Sequence, residues 1–143
     1  MGKYDSLKLE NQICFPLYAA SREIVKQYHP FLTEIDLTYT QYITLMVLWE
    51  EKKISVKDLG QKLFLDSGTL TPVLKTLESR GLITRKRSEK DERVLIAEIT
   101  DDGMALRDKA VDIPSKMAGC SKLDPDDARE LYRILYKLLG SEK

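Results

Sequence analysis

The stretch that decides the fold covers residues 55–99. It opens with Ser55-Val56-Lys57-Asp58-Leu59-Gly60-Gln61-Lys62-Leu63 and continues with Asp66-Ser67-Gly68-Thr69-Leu70-Thr71-Pro72-Val73-Leu74-Lys75-Thr76-Leu77-Glu78. Ser55 is a good N-cap residue for the first helix, Asp66 and Ser67 are both good cap residues for the second, and apolar residues at helical spacing follow. Gly81 can end the second helix, and segments 82–88 and 94–99, rich in Ile, Val and Thr, predict a hairpin. Two capped helices followed by a hairpin predict a winged helix-turn-helix, a module that reads DNA.

The second helix has a small, hydroxylated and nearly uncharged outer face. Its inward positions are predicted to be Leu70, Val73, Leu74 and Leu77. A helix facing solvent usually carries Glu and Lys, whereas a face of Ser and Thr with one Lys fits closely into a major groove. Pro72 costs little if it lies near the first turn. The predicted DNA contacts from this helix are Ser67, Gly68, Thr69, Thr71, Pro72 and Lys75.

The hairpin carries a local excess of positive charge. Residues 80–93 include six basic and three acidic side chains, although the chain as a whole has a net charge of zero. Alone, such a hairpin is equally consistent with a solvated surface of mixed charge. Directly after two capped helices, contact with DNA phosphates is the better interpretation. The predicted DNA contacts from the hairpin are Arg85, Lys86, Arg87, Lys90, Asp91 and Arg93.

Composition and motif content exclude several functional classes. A chain of 143 residues with 43% apolar content predicts one domain, residues 1–143, with a real core. A charged fraction of 32%, a mean hydropathy of -0.32 and the lack of a long apolar run argue against a membrane protein. The charged N-terminus lacks an export signal, so a cytoplasmic location is expected. Two cysteines and one histidine leave no zinc-finger arrangement, and no glycine-rich phosphate loop or nucleophile elbow is present. No metal, cofactor or catalytic residue is therefore predicted.

The N-terminal third predicts two helices. From residue 7 to about residue 28, apolar residues recur every three or four positions. Pro16 should bend this helix or mark its true start nearby, and His29-Pro30 should end it. Thr38 and Gln41 form a capping box for a second helix that reaches about residue 51. The inward face of that helix is predicted to hold Tyr42, Leu45, Met46, Leu48 and Trp49.

The C-terminal third also predicts helices. Thr100 can cap one that runs to about residue 119 with an interruption at Pro114, and Asp124 can cap the last. Terminal helices in so small a chain have little of their own to pack against, so pairing with a second chain is expected. The predicted fold is mainly α (α+β), with a DNA-binding lobe at about 36–99 and dimerisation helices at about 1–35 and 100–143.

Residues 65–72, Leu-Asp-Ser-Gly-Thr-Leu-Thr-Pro, and the wing sequence Lys90-Asp91-Glu92-Arg93 resemble the MarR family of winged-helix regulators. Within that family the chain is similar to the repressors that sense organic hydroperoxides and to staphylococcal thiol-sensing relatives. The resemblance implies a homodimer bound to a pseudo-palindromic operator in double-stranded DNA. It also implies that Arg93 is the wing-tip residue entering the minor groove, and that Asp91 orients Arg93 or a neighbouring arginine.

Cys14 lies on the apolar stripe of the first helix, and its position alone is typical of a small buried hydrophobe. However, residues 9–23 resemble the stretch that carries the peroxide-sensing cysteine in the hydroperoxide repressors. In those relatives two tyrosine hydroxyls contact the sensing thiol, and the matching positions are Tyr28 and Tyr39. Hydroxyl donors would stabilise a thiolate and so raise its reactivity. Cys14 is expected beyond the first helical turn, where the helix dipole adds little.

Cys120 is the second thiol of the chain. By the same resemblance it could resolve an oxidised Cys14 of the partner subunit as a disulfide. Position alone is equally compatible with an inert cysteine at a helix end, in which case a small cellular thiol would resolve Cys14.

Three functions are compatible with these features. The first is a transcriptional repressor released from DNA when Cys14 is oxidised. The second keeps the DNA-binding fold but responds to a small phenolic ligand at the dimer junction; a Cys14→Ser variant separates the two, since a ligand-triggered repressor would still respond. The third is a thiol peroxidase, which would need turnover and a recycling partner.

Overall fold

The computed structural model describes residues 2–141, which form two compact units: the first ends at Asp112 and the second begins at Ile113. The first unit contains helices α1 (Cys14–Thr33), α2 (Tyr39–Glu51), α3 (Val56–Leu63), α4 (Ser67–Ser79) and α5 (Asp101–Ala110). It also contains strands β1 (Lys53–Ser55), β2 (Ile83–Arg87) and β3 (Leu95–Ile99). The second unit contains α6 (Ile113–Gly119) and α7 (Pro125–Leu138). The predicted mainly helical, winged-helix fold is confirmed.

The winged helix-turn-helix contains one strand that the sequence did not predict. The sheet has the order β1-β3-β2, and both pairings are antiparallel. β2 and β3 form the predicted hairpin, with Ile83 opposite Ile99. β1 has only three residues and pairs with β3, so that Lys53 lies opposite Glu98. Three residues show no usable alternation, and β1 is held by this pairing rather than by any local pattern.

The helices begin where their N-cap residues predict. Thr38 accepts a hydrogen bond from the Gln41 amide, and the Gln41 side chain accepts one from the Thr38 amide, completing the capping box. Single caps start four further helices: Ser55 caps α3, Asp66 caps α4, Thr100 caps α5 and Asp124 caps α7. Each side chain accepts from an amide three residues on, which satisfies one of the otherwise unpaired amides of the first turn.

The first helix starts later and ends later than its apolar spacing predicts, and the alternative that Pro16 marks its true start nearby is confirmed. Residues 5–11 form two short 3₁₀ turns, and the Gln12 side-chain amide donates to the carbonyls of Ser6 and Lys8, which holds this segment apart from α1. Pro16 is only the third residue of α1, where its missing amide hydrogen leaves no helical bond unmade. The helix then continues through Pro30 to Thr33, because the lost hydrogen bond lies near its end and Leu32 is buried behind it.

The core of the first unit is built largely from leucine. Its fully buried side chains include Leu45, Leu48, Leu59, Leu70, Leu74, Leu77 and Ile83. Two predicted inward positions differ: Met46 is exposed and Val73 is half-buried, while the unpredicted Thr44 is fully buried and bonds the Thr40 carbonyl. Pro72 is the sixth residue of α4, beyond the first turn, so the Gly68 carbonyl lacks its usual helical donor. Gly68 is exposed, and water can satisfy that carbonyl.

Each unit exposes an apolar helix face. In the first unit α1 exposes Phe15, Leu17, Tyr18, Ile24 and Val25. In the second unit α7 exposes Leu131, Tyr132, Ile134 and Leu138, and Leu139 just beyond it is also exposed. A monomeric protein rarely leaves such stripes in water. Among residues 2–141, no helix combines the length and apolar character that crossing a bilayer requires.

Candidate DNA interface and thiol site

The face of α4 predicted to read DNA is open to solvent. Asp66 accepts a hydrogen bond from the Thr69 amide at 2.8 Å and so fixes the first turn of the helix. This bond, together with the Thr69 side chain, lowers the pKa of the Asp66 carboxyl. The predicted contacts Ser67, Gly68, Thr69, Pro72 and Lys75 are exposed, and Thr71 is half-buried. These side chains are small, so the α4 backbone can approach base edges closely.

The wing presents an arginine in a fixed geometry. The two carboxylate oxygens of Asp91 accept from Nε and Nη2 of Arg93 at 3.1 and 3.2 Å, and one of them also accepts from the Arg93 backbone amide. These bonds lower the pKa of Asp91, the side-chain bond from Arg93 contributing most. The Arg93 side chain is nevertheless 90% exposed. A forked arginine held at its base and open at its tip is suited to a phosphate or a minor groove.

Replacing Arg93 by alanine should weaken operator binding and reduce the slope of log affinity against log salt by about one, because one cationic contact is lost. Fluorescence anisotropy titrations of the reduced protein over a range of KCl concentrations measure both quantities. Arg129→Ala is the matched control, since Arg129 is also an exposed arginine bonded to a nearby aspartate, Asp126. Equal affinities and slopes for the Arg93 variant and wild type would remove Arg93 from the interface.

Arg85 occupies a different environment from the other predicted wing contacts. Its guanidinium Nη2 donates to Glu78 at 3.1 Å, and its backbone amide donates to the other oxygen of the same carboxylate. The Arg85 side chain is only 18% exposed, and the arginine holds the pKa of Glu78 below its ordinary value. Arg85 therefore ties the last turn of α4 to the base of the wing. Lys86, Arg87 and Lys90 remain exposed on the hairpin.

The two tyrosines predicted near the sensing thiol pack against each other. The ring centroids of Tyr28 and Tyr39 are 4.9 Å apart, and both rings also contact Tyr42. Burial raises the pKa of all three phenols, and for Tyr39 and Tyr42 the neighbouring phenols raise it further. The hydroxyls therefore stay protonated at neutral pH and can donate hydrogen bonds. Tyr42 was not predicted to belong to this cluster, although its spacing of three from Tyr39 on a helix was a usable signal.

Cys14 is the first residue of α1 and is exposed, which corrects two expectations. It is neither a buried hydrophobe nor placed beyond the first turn. The difference from the prediction arises because the segment before Cys14 folds into 3₁₀ turns instead of extending the helix.

One chain does not bring Cys14 and the tyrosine pair together. Cys14 and Tyr28 lie on the same helix, fourteen residues apart, which places their α-carbons about 21 Å apart at 1.5 Å per residue. No side chain spans that distance. Cys120, also exposed, follows α6, with its amide bonded to the Met117 carbonyl in the second unit.

A capped helix pair with an open reading face, together with a wing that presents a fixed arginine, defines a winged-helix DNA-binding protein. Residues 26–110 match the family model described as "Transcriptional regulator SarA/Rot". The chain is also 54% identical over 138 residues to the organic hydroperoxide resistance transcriptional regulator of Bacillus subtilis, covering 96% of this chain and 94% of that one.

Solved structures agree with this assignment. AbfR of Staphylococcus epidermidis, reduced and bound to DNA, is 34% identical, covers 97% of both chains and has a TM-score of 0.79. An overoxidised form of AbfR bound to DNA has a TM-score of 0.77, and a disulfide form has a TM-score of 0.67. The chain belongs to the SarA/Rot family of transcriptional regulators, within the MarR-type winged-helix proteins, and is a DNA-binding regulator rather than an enzyme.

Proposed function

We propose that this chain is a homodimeric, cytoplasmic repressor that holds its operator while Cys14 is reduced and releases it when an organic hydroperoxide oxidises Cys14. The observation that carries the proposal is an exposed thiol at the start of α1, in the same chain as an open DNA-reading face. Similarity to a hydroperoxide resistance regulator over nearly the whole chain supports the choice of oxidant.

The homodimer accounts for features that one chain leaves incomplete. Pairing would cover the apolar faces of α1 and α7, which are open to solvent in the single chain. It would also allow Tyr28 and Tyr39 of one subunit to approach Cys14 of the other, a contact that the length of α1 forbids within a chain. Two recognition helices related by a two-fold axis would read half-sites about 34 Å apart on a pseudo-palindrome.

The chemistry of the switch proceeds in two balanced steps. The Cys14 thiolate attacks the terminal peroxide oxygen and the O–O bond breaks, which leaves a Cys14 sulfenic acid and an alkoxide that takes a proton from water to become the alcohol. The thiol of Cys120 from the partner subunit then attacks the sulfenic sulfur, forming a disulfide and releasing water. The neutral phenols of Tyr28 and Tyr39 serve as hydrogen-bond donors to the Cys14 thiolate before the first step.

The solved forms of AbfR bear on whether release from DNA requires a disulfide. That protein has been solved on DNA in both its reduced and overoxidised forms. Overoxidised AbfR is thus found on DNA, and we infer that release of this chain requires the disulfide, which shifts the helices that carry the two DNA-reading lobes. A small change in the separation of the two lobes would break the contacts with both half-sites together.

The repressor proposal is tested with the reduced wild-type protein and a duplex that it has selected from a random-sequence pool. Cumene hydroperoxide should abolish the anisotropy change, and dithiothreitol should restore it. Continuous peroxide consumption in the presence of a thiol reductant would instead indicate a peroxidase. Binding that is unaffected by the peroxide would overturn the proposal.

Replacing Cys120 by serine should separate sensing from disulfide formation. The variant should still form a sulfenic acid at Cys14, detected with a dimedone probe by mass spectrometry. It should not form the dimer-mass band that peroxide produces in wild type on a non-reducing gel. Wild-type protein that releases DNA under peroxide while running as a monomer on that gel would rule out Cys120 as the partner of Cys14.

A further inference from the structure

A groove in the first unit joins the two ends of the DNA interface. Three segments line it: the start of α3, the turn from α3 to α4, and the end of the wing leading into β3. Ser67, the first residue of α4, and Arg93 of the wing both line it. Its volume is about 790 Å³, and apolar side chains form much of its lining, including Val56, Leu65 and Val94.

We propose that this groove carries the DNA backbone strand between the major and minor grooves, with Lys57 binding a phosphate and Phe64 packing against a deoxyribose. The proposal rests on the function proposed above. A single sugar–phosphate strand separates a major groove from the adjacent minor groove. If α4 reads the major groove and Arg93 enters the minor groove, that strand must pass between Ser67 and Arg93, and both residues line this groove.

Lys57 has the charge and freedom that a phosphate contact requires. It is exposed at the groove and makes no ion pair or hydrogen bond from its side chain within residues 2–141. Lys62 on the same helix differs, because its ammonium is bonded to Glu51 at 2.8 Å and it lines a separate depression away from Arg93. Lys57 and Arg93 outnumber the one acidic lining residue, Asp66, whose carboxylate is already bonded to the Thr69 amide.

Phe64 supplies the apolar part of the contact. Its backbone has a φ of 55°, a left-handed conformation that is uncommon for a bulky side chain, and its side chain is 52% exposed at the groove. This left-handed residue ends α3, and strain of this kind persists where the surrounding structure imposes it, often at binding sites. An exposed aromatic ring beside a cation suits a sugar–phosphate strand, which offers a less polar sugar next to each charge.

The test uses full-length reduced protein and two duplexes, the selected operator and one of unrelated sequence. Lys57→Ala should weaken binding to both by about five- to tenfold at 0.1 M KCl and reduce the salt slope by about one, since a phosphate contact carries no sequence information. Phe64→Ala should weaken binding with no change in slope, because no charge is lost. Lys62→Ala is the matched control and should resemble wild type, and thermal melts establish that each variant is folded.

The outcomes separate this proposal from the proposed function. If wild type binds the operator and Arg93→Ala lowers the slope, but Lys57→Ala behaves like Lys62→Ala, the groove does not carry the backbone and the repressor assignment stands. The same result would be expected if a small apolar ligand occupied the groove. If wild type binds neither duplex, both proposals fail. The result that supports the backbone contact is an equal loss of affinity for both duplexes in Lys57→Ala, together with a reduced salt slope.

Discussion

Replacing Cys14 by serine should abolish the response to organic hydroperoxide while leaving operator binding intact. Serine is nearly isosteric with cysteine, and the exposed position at the start of α1 tolerates it without repacking. Its hydroxyl cannot form a sulfenic acid, so neither the first oxidation nor the disulfide can follow. Wild-type affinity should fall by about a hundredfold or more on oxidation, since operator binding typically exceeds non-specific binding by about 10³–10⁷.

Operator binding by fluorescence anisotropy, with and without cumene hydroperoxide, measures this difference. The Cys14→Ser affinities should agree within about twofold, which is well inside the range that one lost contact would produce. Cys120→Ser, which retains the sensing thiol but cannot form the disulfide, should also stay on DNA under peroxide, and only this second variant should form a sulfenic acid at Cys14. A Cys14→Ser protein that still leaves DNA under peroxide would assign the switch to another group or to a ligand.

Replacing Gly103 by alanine should destabilise the protein by about 3 kcal/mol, the upper part of the range for overpacking a closed site. A β-carbon built at this position overlaps the Leu82 carbonyl oxygen and lies 2.8 Å from Cγ1 of Ile99. Neither neighbour can withdraw easily, because Leu82 accepts from the Thr100 amide and Ile99 belongs to β3. The Gly103 carbonyl also accepts from Nε1 of Trp49 at 2.9 Å, so displacement of α5 would leave a buried donor without its partner.

Equilibrium urea unfolding at one fixed protein concentration measures the loss, because a dimer's apparent stability depends on concentration. Gly119→Ala is the control: a β-carbon there meets no atom within 4 Å, and alanine is the better helix former. We therefore expect the Gly119 variant to be as stable against urea as wild type, or slightly more stable. Equal unfolding midpoints for Gly103→Ala and wild type would show that α5 can shift without cost.

The starts of the helices could be predicted because their determinants are local. Thr38, Ser55, Asp66, Thr100 and Asp124 each bond an amide three residues further on, and that geometry needs no distant segment. The first helix shows the limit of the same reasoning. Apolar spacing continues smoothly from residue 7, yet the Gln12 side chain holds the preceding residues in 3₁₀ turns and α1 starts only at Cys14.

In the candidate site, too, local features could be predicted from the sequence and contacts between separate elements could not. The exposed face of α4 and the pair of Asp91 with Arg93 could be predicted, since each lies within a few consecutive residues. The bond between Glu78 and Arg85 could not, although only seven residues separate them, because the Gly81 turn brings the last turn of α4 against β2. The Arg85 side chain is therefore largely buried and bonded to Glu78, and is not a free cation on the surface.

The sequence by itself determined the order of the helices, the exposed face of α4 and the family, because caps, periodicity and short motifs act between near neighbours. Only the tertiary structure decided that β1 exists, that Tyr42 joins Tyr28 and Tyr39, and that Ser67 and Arg93 line one groove. It also decided that Cys14 lies too far along α1 from Tyr28 for contact within one chain. These features depend on which distant segments pack together and on where a helix begins. Burial and chain geometry determine both, and a local sequence pattern contains neither.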